Sequence, residues 1–279
     1  MITIASKDAG GAEILSSWVK KNPGKYKYYL REPALKIFKS KIKINKTSNI
    51  KECLDFSDSI ISSTGTTDFE IKAIQRFKKK KKKTTVYLDH WFNYKKRFLI
   101  KNKIIKVDEI WVNDNIAFKK AKNLFVNSVI KKKKNYFLID LLKKVKNSNE
   151  KKDSILYLTD KKKFKNKKIE ILILKNFLEK IYFKKFFMKK FKLIIRVHPN
   201  DNKSKYKKIA GDHKLIKISN NTLASDISKS SYVFGNNSMV LYLARKAGVK
   251  NSYNFIINNN YKYQCLMKKF KIKECHVRI

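Results

Sequence analysis

Short apolar runs alternate with amphipathic stretches along most of the chain. The runs at residues 2–5, 26–30, 59–62, 85–88 and 109–112 are too short for buried helices. They are rich in isoleucine, valine and tyrosine, so they predict strands. Between them, residues 12–20, 68–80 and 116–124 repeat apolar positions at helical spacing, the first closed by Asn22-Pro23-Gly24. Residues 143–153 (KKVKNSNEKKD) are polar and without period, and predict a linker. The alternation then restarts. Strands are predicted at 154–158, 193–197, 215–218, 232–234 and 253–257, and helices at 168–190, 222–228 and 238–247. The residues after Asn260 show no clear pattern, and no repeat of solenoid period is present.

Strands interleaved with helices imply parallel sheets covered on both faces. Two such series joined by a linker predict an α/β chain of two Rossmann-like domains, residues 1–147 and 148–279, facing across a cleft. The length of 279 residues and the hydrophobic content of 43% suit about two cores. In open parallel sheets ligands sit beyond the carboxyl ends of the strands, so the turns that follow strands carry the candidate chemistry.

Four of these turns are informative. In Ser6-Lys7-Asp8-Ala9-Gly10-Gly11, the glycines Gly10 and Gly11 let a backbone approach a ligand beside free helix amides. Neither the dinucleotide nor the Walker pattern is present, and Asp8 is open to two roles, carboxylate base or helix cap. Asp89-His90-Trp91-Phe92-Asn93-Tyr94 brings a carboxylate, an imidazole and three aromatics together. That composition suits an acceptor pocket with Asp89 as base and His90 and Asn93 as contacts, or else a core cluster with Asp89 as a cap. Arg196-Val197-His198-Pro199 ends a strand in a cation and an imidazole, both suited to phosphate. Gly235-Asn236-Asn237-Ser238 opens a helix, so Asn237 and Ser238 can cradle an anion or simply cap the helix.

Charge changes the picture less than its size suggests. The formal net charge is +46, but only six of the 68 basic residues are arginine. A reader of bases or phosphates is expected to use more arginine forks, so nucleic acid is not the expected partner. The lysine run at 78–83 reads as a solvated helix end or as a patch for an anionic membrane face. Cys53, Cys265 and Cys275 are too scattered for a disulfide framework or a zinc knuckle, and no apolar run is long enough to span a bilayer. A reducing cytoplasm is the expected setting, with peripheral attraction to the inner membrane face.

The second half carries a resemblance. "RVHP" after a strand, followed by "SDISKSSYVFGNNSMVLYLARKAG", resembles the HP and serine motifs of GT-B-type bacterial glycosyltransferases. The sialyltransferase and capsular polysaccharide enzymes are most alike, with the CDP-glycerol polymer transferases similar. The resemblance covers about residues 190–250. It implies that His198 and Ser238 bind a nucleotide phosphate, with Asn237 where such families often carry a second small hydroxyl residue. It also implies an N-terminal acceptor domain whose carboxylate, Asp8 or Asp89, deprotonates the acceptor, and a C-terminal nucleotide-donor domain. The donor would be a nucleotide-activated sugar and the acceptor a saccharide or lipid-linked group. No DxD-like motif is present, so no metal and no other cofactor is expected. Two alternatives remain open, a nucleotide-sugar 2-epimerase of the same architecture and a basic nucleic-acid or membrane-surface binding protein.

Overall fold

The structure is a computed structural model that describes residues 1–65, 67–159, 163–164, 167–199, 201–211, 213–236, 238–256 and 267–276. The chain divides into two compact units, Met1–Phe137 and Leu138–Ile279. Among the described residues, no helix is long and apolar enough to cross a membrane.

The N-terminal unit runs β1 (Ile2–Ser6), α1 (Ala9–Lys21), β2 (Tyr26–Leu30), α2 (Ala34–Lys39), α3 (Ile50–Phe56), β3 (Ser59–Ser62), α4 (Phe69–Lys79) and β4 (Lys83–Tyr87). It continues through α5 (Tyr94–Arg97), the hairpin β5 (Leu99–Ile100) and β6 (Lys103–Ile104), then β7 (Glu109–Val112), α6 (Asn115–Leu124) and β8 (Val129–Lys132). The sheet order is β2-β1-β3-β4-β7-β8, with every neighbour parallel. Strand order reverses at β1, which has β2 on one side and β3 on the other, and that reversal opens a crevice at the carboxyl edge. Helix α1 buries Ala12, Leu15 and Val19 against Ile4, Phe38, Tyr87 and Trp111, which holds the turn after β1 firmly in place.

The boundary between the units falls within α7 (Tyr136–Lys146), so helix occupies the first residues of the polar stretch that reads as linker. The basic residues Lys143, Lys144 and Lys146 suit the negative end of that helix.

The C-terminal unit then runs β9 (Ser154–Leu158), the small hairpin β10 (Lys163–Phe164) and β11 (Lys167–Lys168), α8 (Glu170–Phe177) and a π-wound continuation at Leu178–Phe187. It ends with β12 (Lys192–Arg196), α9 (Ser204–Ala210), β13 (Ile216–Ile218), α10 (Leu223–Lys229), β14 (Ser230–Gly235), α11 (Met239–Lys246), β15 (Asn251–Ile256) and β16 (Lys273–His276). The order is β13-β12-β9-β14-β15-β16, again parallel throughout. Here the reversal is at β9, between β12 and β14. A core of Tyr157, Phe177, Tyr182, Phe234 and Phe255 sits between this sheet and α8 with its continuation. Both units therefore have the parallel, doubly covered sheet that the alternation predicts.

Candidate active site

In the N-terminal unit three strand-end loops converge at the β1 switch point. Asp8 stands at the start of α1 in extended conformation (φ −76°, ψ 143°), and its side chain makes no capping hydrogen bond. Gly10 is required by close approach, because a Cβ there would lie 2.6 Å from Asp89 Oδ2. A Cβ on Gly11 would likewise lie 2.5 Å from the Cβ of Ser63, and one on Gly65 2.6 Å from Asp8 Cγ. The glycines thus let the loops after β1, β3 and β4 meet at the start of α1, with Asp8 against Gly65 and Asp89 against Gly10.

The two aspartates have different surroundings. Arg97, on α5, donates from Nη1 to Asp89 Oδ1 at 2.5 Å and to Thr64 Oγ1 at 2.9 Å. Burial works against the Arg97 cation, but the charge and hydrogen bond of Asp89, with Tyr94 and Asp8 adding to them, raise its pKa nevertheless. Asp89 is therefore held in a largely buried ion pair. His90 is held too, its Nδ1 accepting the Phe92 N–H at 3.2 Å. Burial pushes its pKa down to about 4, against the opposing charge of Asp89, so the ring is neutral near pH 7.

Asn93 is exposed and takes the left-handed conformation (φ 58°) ahead of α5, which asparagine tolerates better than most residues. The aromatics of this turn are core rather than pocket lining. Trp91, Phe92 and Tyr94 are all buried, Trp91 Nε1 donates to Asp114 Oδ2 at 2.7 Å, and Asp114 in turn caps α6 through the Ala117 amide. Packing three rings against α6 gains more than displaying them to water.

Sequence reasoning misses Glu70. This residue lies in the first turn of α4, is 1% exposed, and accepts the Lys7 and Asp8 amides on Oε1 at 2.8 and 3.2 Å. Burial raises its pKa to about 7, and the charge of Asp8 adds to the rise, against the pull of the amide hydrogen bonds. In sequence its only signal is an acid at a helix start, which capping alone explains.

The raised pKa has a testable consequence. A carboxyl group that titrates near 7 folded and near 4.5 unfolded contributes stability that is complete below pH 4.5 and lost as pH rises to about 7. Glu70→Gln should remove that slope, worth at most about 3 kcal/mol. Denaturant midpoints at pH 5 and pH 7 test this, and an unchanged slope in the variant would refute it.

In the C-terminal unit the same edge carries the second cluster. Thr159, just after β9, accepts the His198 N–H on Oγ1 at 2.9 Å and donates its own N–H to Arg196 O at 3.1 Å. His198 O accepts the Asp201 N–H at 2.9 Å and closes the proline turn. Asp201 also accepts from the Tyr206 hydroxyl at 2.7 Å and pairs with Lys205 at 2.7 Å, while Lys205 reaches buried Glu170 at 2.7 Å. The His198 turn is thus fixed from beneath.

Arg196 faces other partners. Its Nη1 donates to Asp226 Oδ2 at 2.6 Å and to Asn221 O at 3.1 Å. Asp226 is fully buried and also accepts from the Ser219 hydroxyl at 2.6 Å. On the far side of β9, Gly235 lies against Leu158, and Ser238 caps α11 by accepting the Val240 N–H at 3.2 Å. Asn237 lies outside the described residues. Neighbouring Asn236 is buried and donates to Phe255 O at 3.0 Å. Strands β12, β9 and β14 are parallel neighbours, so the His198 turn, Thr159 and the α11 start leave the same edge.

No protein-family model matches the sequence, and no curated protein matches it. Solved structures do match. The glycotransferase of kitacinnamycin superposes with TM-score 0.56 at 7% identity, over 99% of this chain and 85% of that one. The wall teichoic acid polymerase TagF, soaked with CDPG, gives 0.54 at 11% identity over 95% of this chain and 71% of that one. MurG of Acinetobacter baumannii gives 0.48 at 8% identity, over 99% and 86%. The fold is of the GT-B type. At such identities the likeness concerns backbone architecture, and function has to be argued from the site.

Proposed function

We propose that the chain is a glycosyltransferase that moves a sugar, or a polyol phosphate, from a nucleotide donor to a hydroxyl of a surface-polysaccharide or lipid-linked acceptor. The observation that carries the reading is the C-terminal switch-point edge, where the His198 turn and the capped start of α11 flank Thr159. In this reading the C-terminal unit binds the donor. His198 donates to the departing phosphate, and the first-turn amides of α11 and the Ser238 hydroxyl meet the same charge. Arg196 braces the turn through Asp226 and does not itself clamp the phosphate. Asn237 joins the phosphate contacts by its place in the motif.

The N-terminal unit takes the acceptor. Asp8 removes the acceptor proton, while Asp89, locked to Arg97, shapes the pocket beside Gly10 and Gly11. His90 supplies a neutral imidazole there, and exposed Asn93 an amide. The developing phosphate charge is met by the chain's own groups, so transfer proceeds without a metal. The fold shared with a teichoic acid polymerase supports the polyol-phosphate variant beside the sugar one.

A thermal-shift screen with CMP, CDP, UDP and GDP tests the reading. One of them should raise apparent stability, by about 2.7 kcal/mol at a hundred times its dissociation constant. No shift with any of the four would overturn the proposal. Conversion of a nucleotide sugar without any acceptor would identify an epimerase instead.

A further inference from the structure

The amino edge of the N-terminal sheet, opposite the candidate active site, carries an unexplained surface. Hydrogen bonds trace that edge from strand to strand. Met1 O accepts the Asp58 N–H at 2.9 Å, which sets the start of β1 beside that of β3. Lys82 Nζ donates to Ser57 O at 2.6 Å and also to Leu54 O, tying the start of β4 to the end of α3. Asp108 accepts the Thr84 N–H and hydroxyl, both at 2.8 Å, and joins β4 to β7. Val129 N–H donates to Asp108 O at 2.9 Å and joins β7 to β8.

Along that line large apolar side chains stand in water. Phe56 is 61% exposed, Val126 82% and Val129 57%. Between them lie exposed Lys78, Lys79, Lys80, Lys81, Lys83 and Lys106, and the charges of Lys78 and Lys83 act on Asp108. Two acids of the edge are engaged, while Asp55, beside Phe56, is exposed among the more numerous lysines. Asp58 pairs with the terminal amine and Asp108 is bonded to Thr84.

We propose that this edge docks on an anionic lipid bilayer, with Phe56, Val126 and Val129 entering the interface and the lysines meeting its head groups. Nucleic acid would satisfy the lysines but offers no hydrocarbon to the exposed apolar side chains, whereas a bilayer interface satisfies both. Net charge alone explains attraction to any anionic surface. Apolar residues interleaved with lysines on one edge add a preference for lipid and an orientation.

The test is co-sedimentation with phosphatidylcholine vesicles that contain about 30% phosphatidylglycerol, at about 0.15 M salt. Phe56→Ser/Val126→Ser/Val129→Ser leaves the net charge untouched and should lower the fraction bound about tenfold. A control triple in the C-terminal unit, Ile139→Ser/Leu172→Ser/Met188→Ser, also removes exposed apolar side chains and should bind within about twofold of the parent. Charge reversal at Lys79, Lys80 and Lys81 should release the protein more than reversal at Lys184, Lys189 and Lys190. Equal effects of the two triples, or no effect of the edge triple, would overturn the assignment. So would an edge triple that weakens binding to an RNA oligonucleotide as strongly as binding to vesicles. Nucleotide-induced thermal shifts should persist in the edge triple, so failure of the transfer reading and failure of this one are separable.

Discussion

Arg196→Ala is expected to destabilise the C-terminal unit by about 3 kcal/mol, near the lower end of the cost of stranding a buried charge. Asp226 is fully buried and its Oδ2 receives both the guanidinium and the Ser219 hydroxyl. Without the arginine, the carboxylate keeps only neutral donors from Ser219 and Asn221. Arg196 is itself 29% exposed, which is why the lower end applies. Neutralising the partner as well, in Arg196→Ala/Asp226→Asn, should recover more than half of the loss, because no charge then lies buried without a counterion. Urea unfolding of the two variants measures both effects. If the single variant unfolds like the parent, Arg196 is free for phosphate and the bracing role fails.

Asp8→Asn is expected to lower turnover by about 10²–10⁴-fold, the usual cost of losing a positioned general base. The substitution keeps the shape of the side chain, so its close contact with Gly65 and the start of α1 are preserved. The nucleotide-induced thermal shift should be the same as in the parent, because donor binding is assigned to the other unit. Asp89→Asn should behave differently. It leaves Arg97 without its counterion in a buried setting, so the chief loss should be in stability. An Asp8→Asn protein at full turnover would hand the role of base back to Asp89.

The strands at Tyr26–Leu30, Ser59–Ser62, Glu109–Val112 and Ser154–Leu158 lie where the hydrophobic pattern places them, since short apolar runs between polar turns allow little else. The elements that the pattern misses are held by neighbours. Helices α2 and α3 interrupt a lysine-rich stretch, and α2 owes its place to packing of Ala34 and Phe38 against the α1 core. Strand β8 is a mostly exposed edge strand with no buried face to impose alternation. The predicted helix over 168–190 is apolar on several sides, and its second half winds as π-helix, which periodicity cannot distinguish.

Candidate positions were legible in the same way, because parallel topology sends every loop after a strand to one edge. Their partners were not. Glu70 meets Lys7 across 63 residues, and Thr159 meets His198 across 39. Arg97 and Asp226 read in sequence as ordinary helix charges, and only the fold shows which aspartate or arginine each one holds.

The most direct test of donor binding at the C-terminal edge is a calorimetric titration of His198→Ala with the nucleotide that stabilises the parent protein. Loss of one charge-assisted hydrogen bond should weaken affinity by about ten- to a hundredfold. Removal of the exposed His276 should leave affinity unchanged. A dissociation constant in His198→Ala equal to that of the parent would contradict the account, because the His198 turn would then hold no part of the donor.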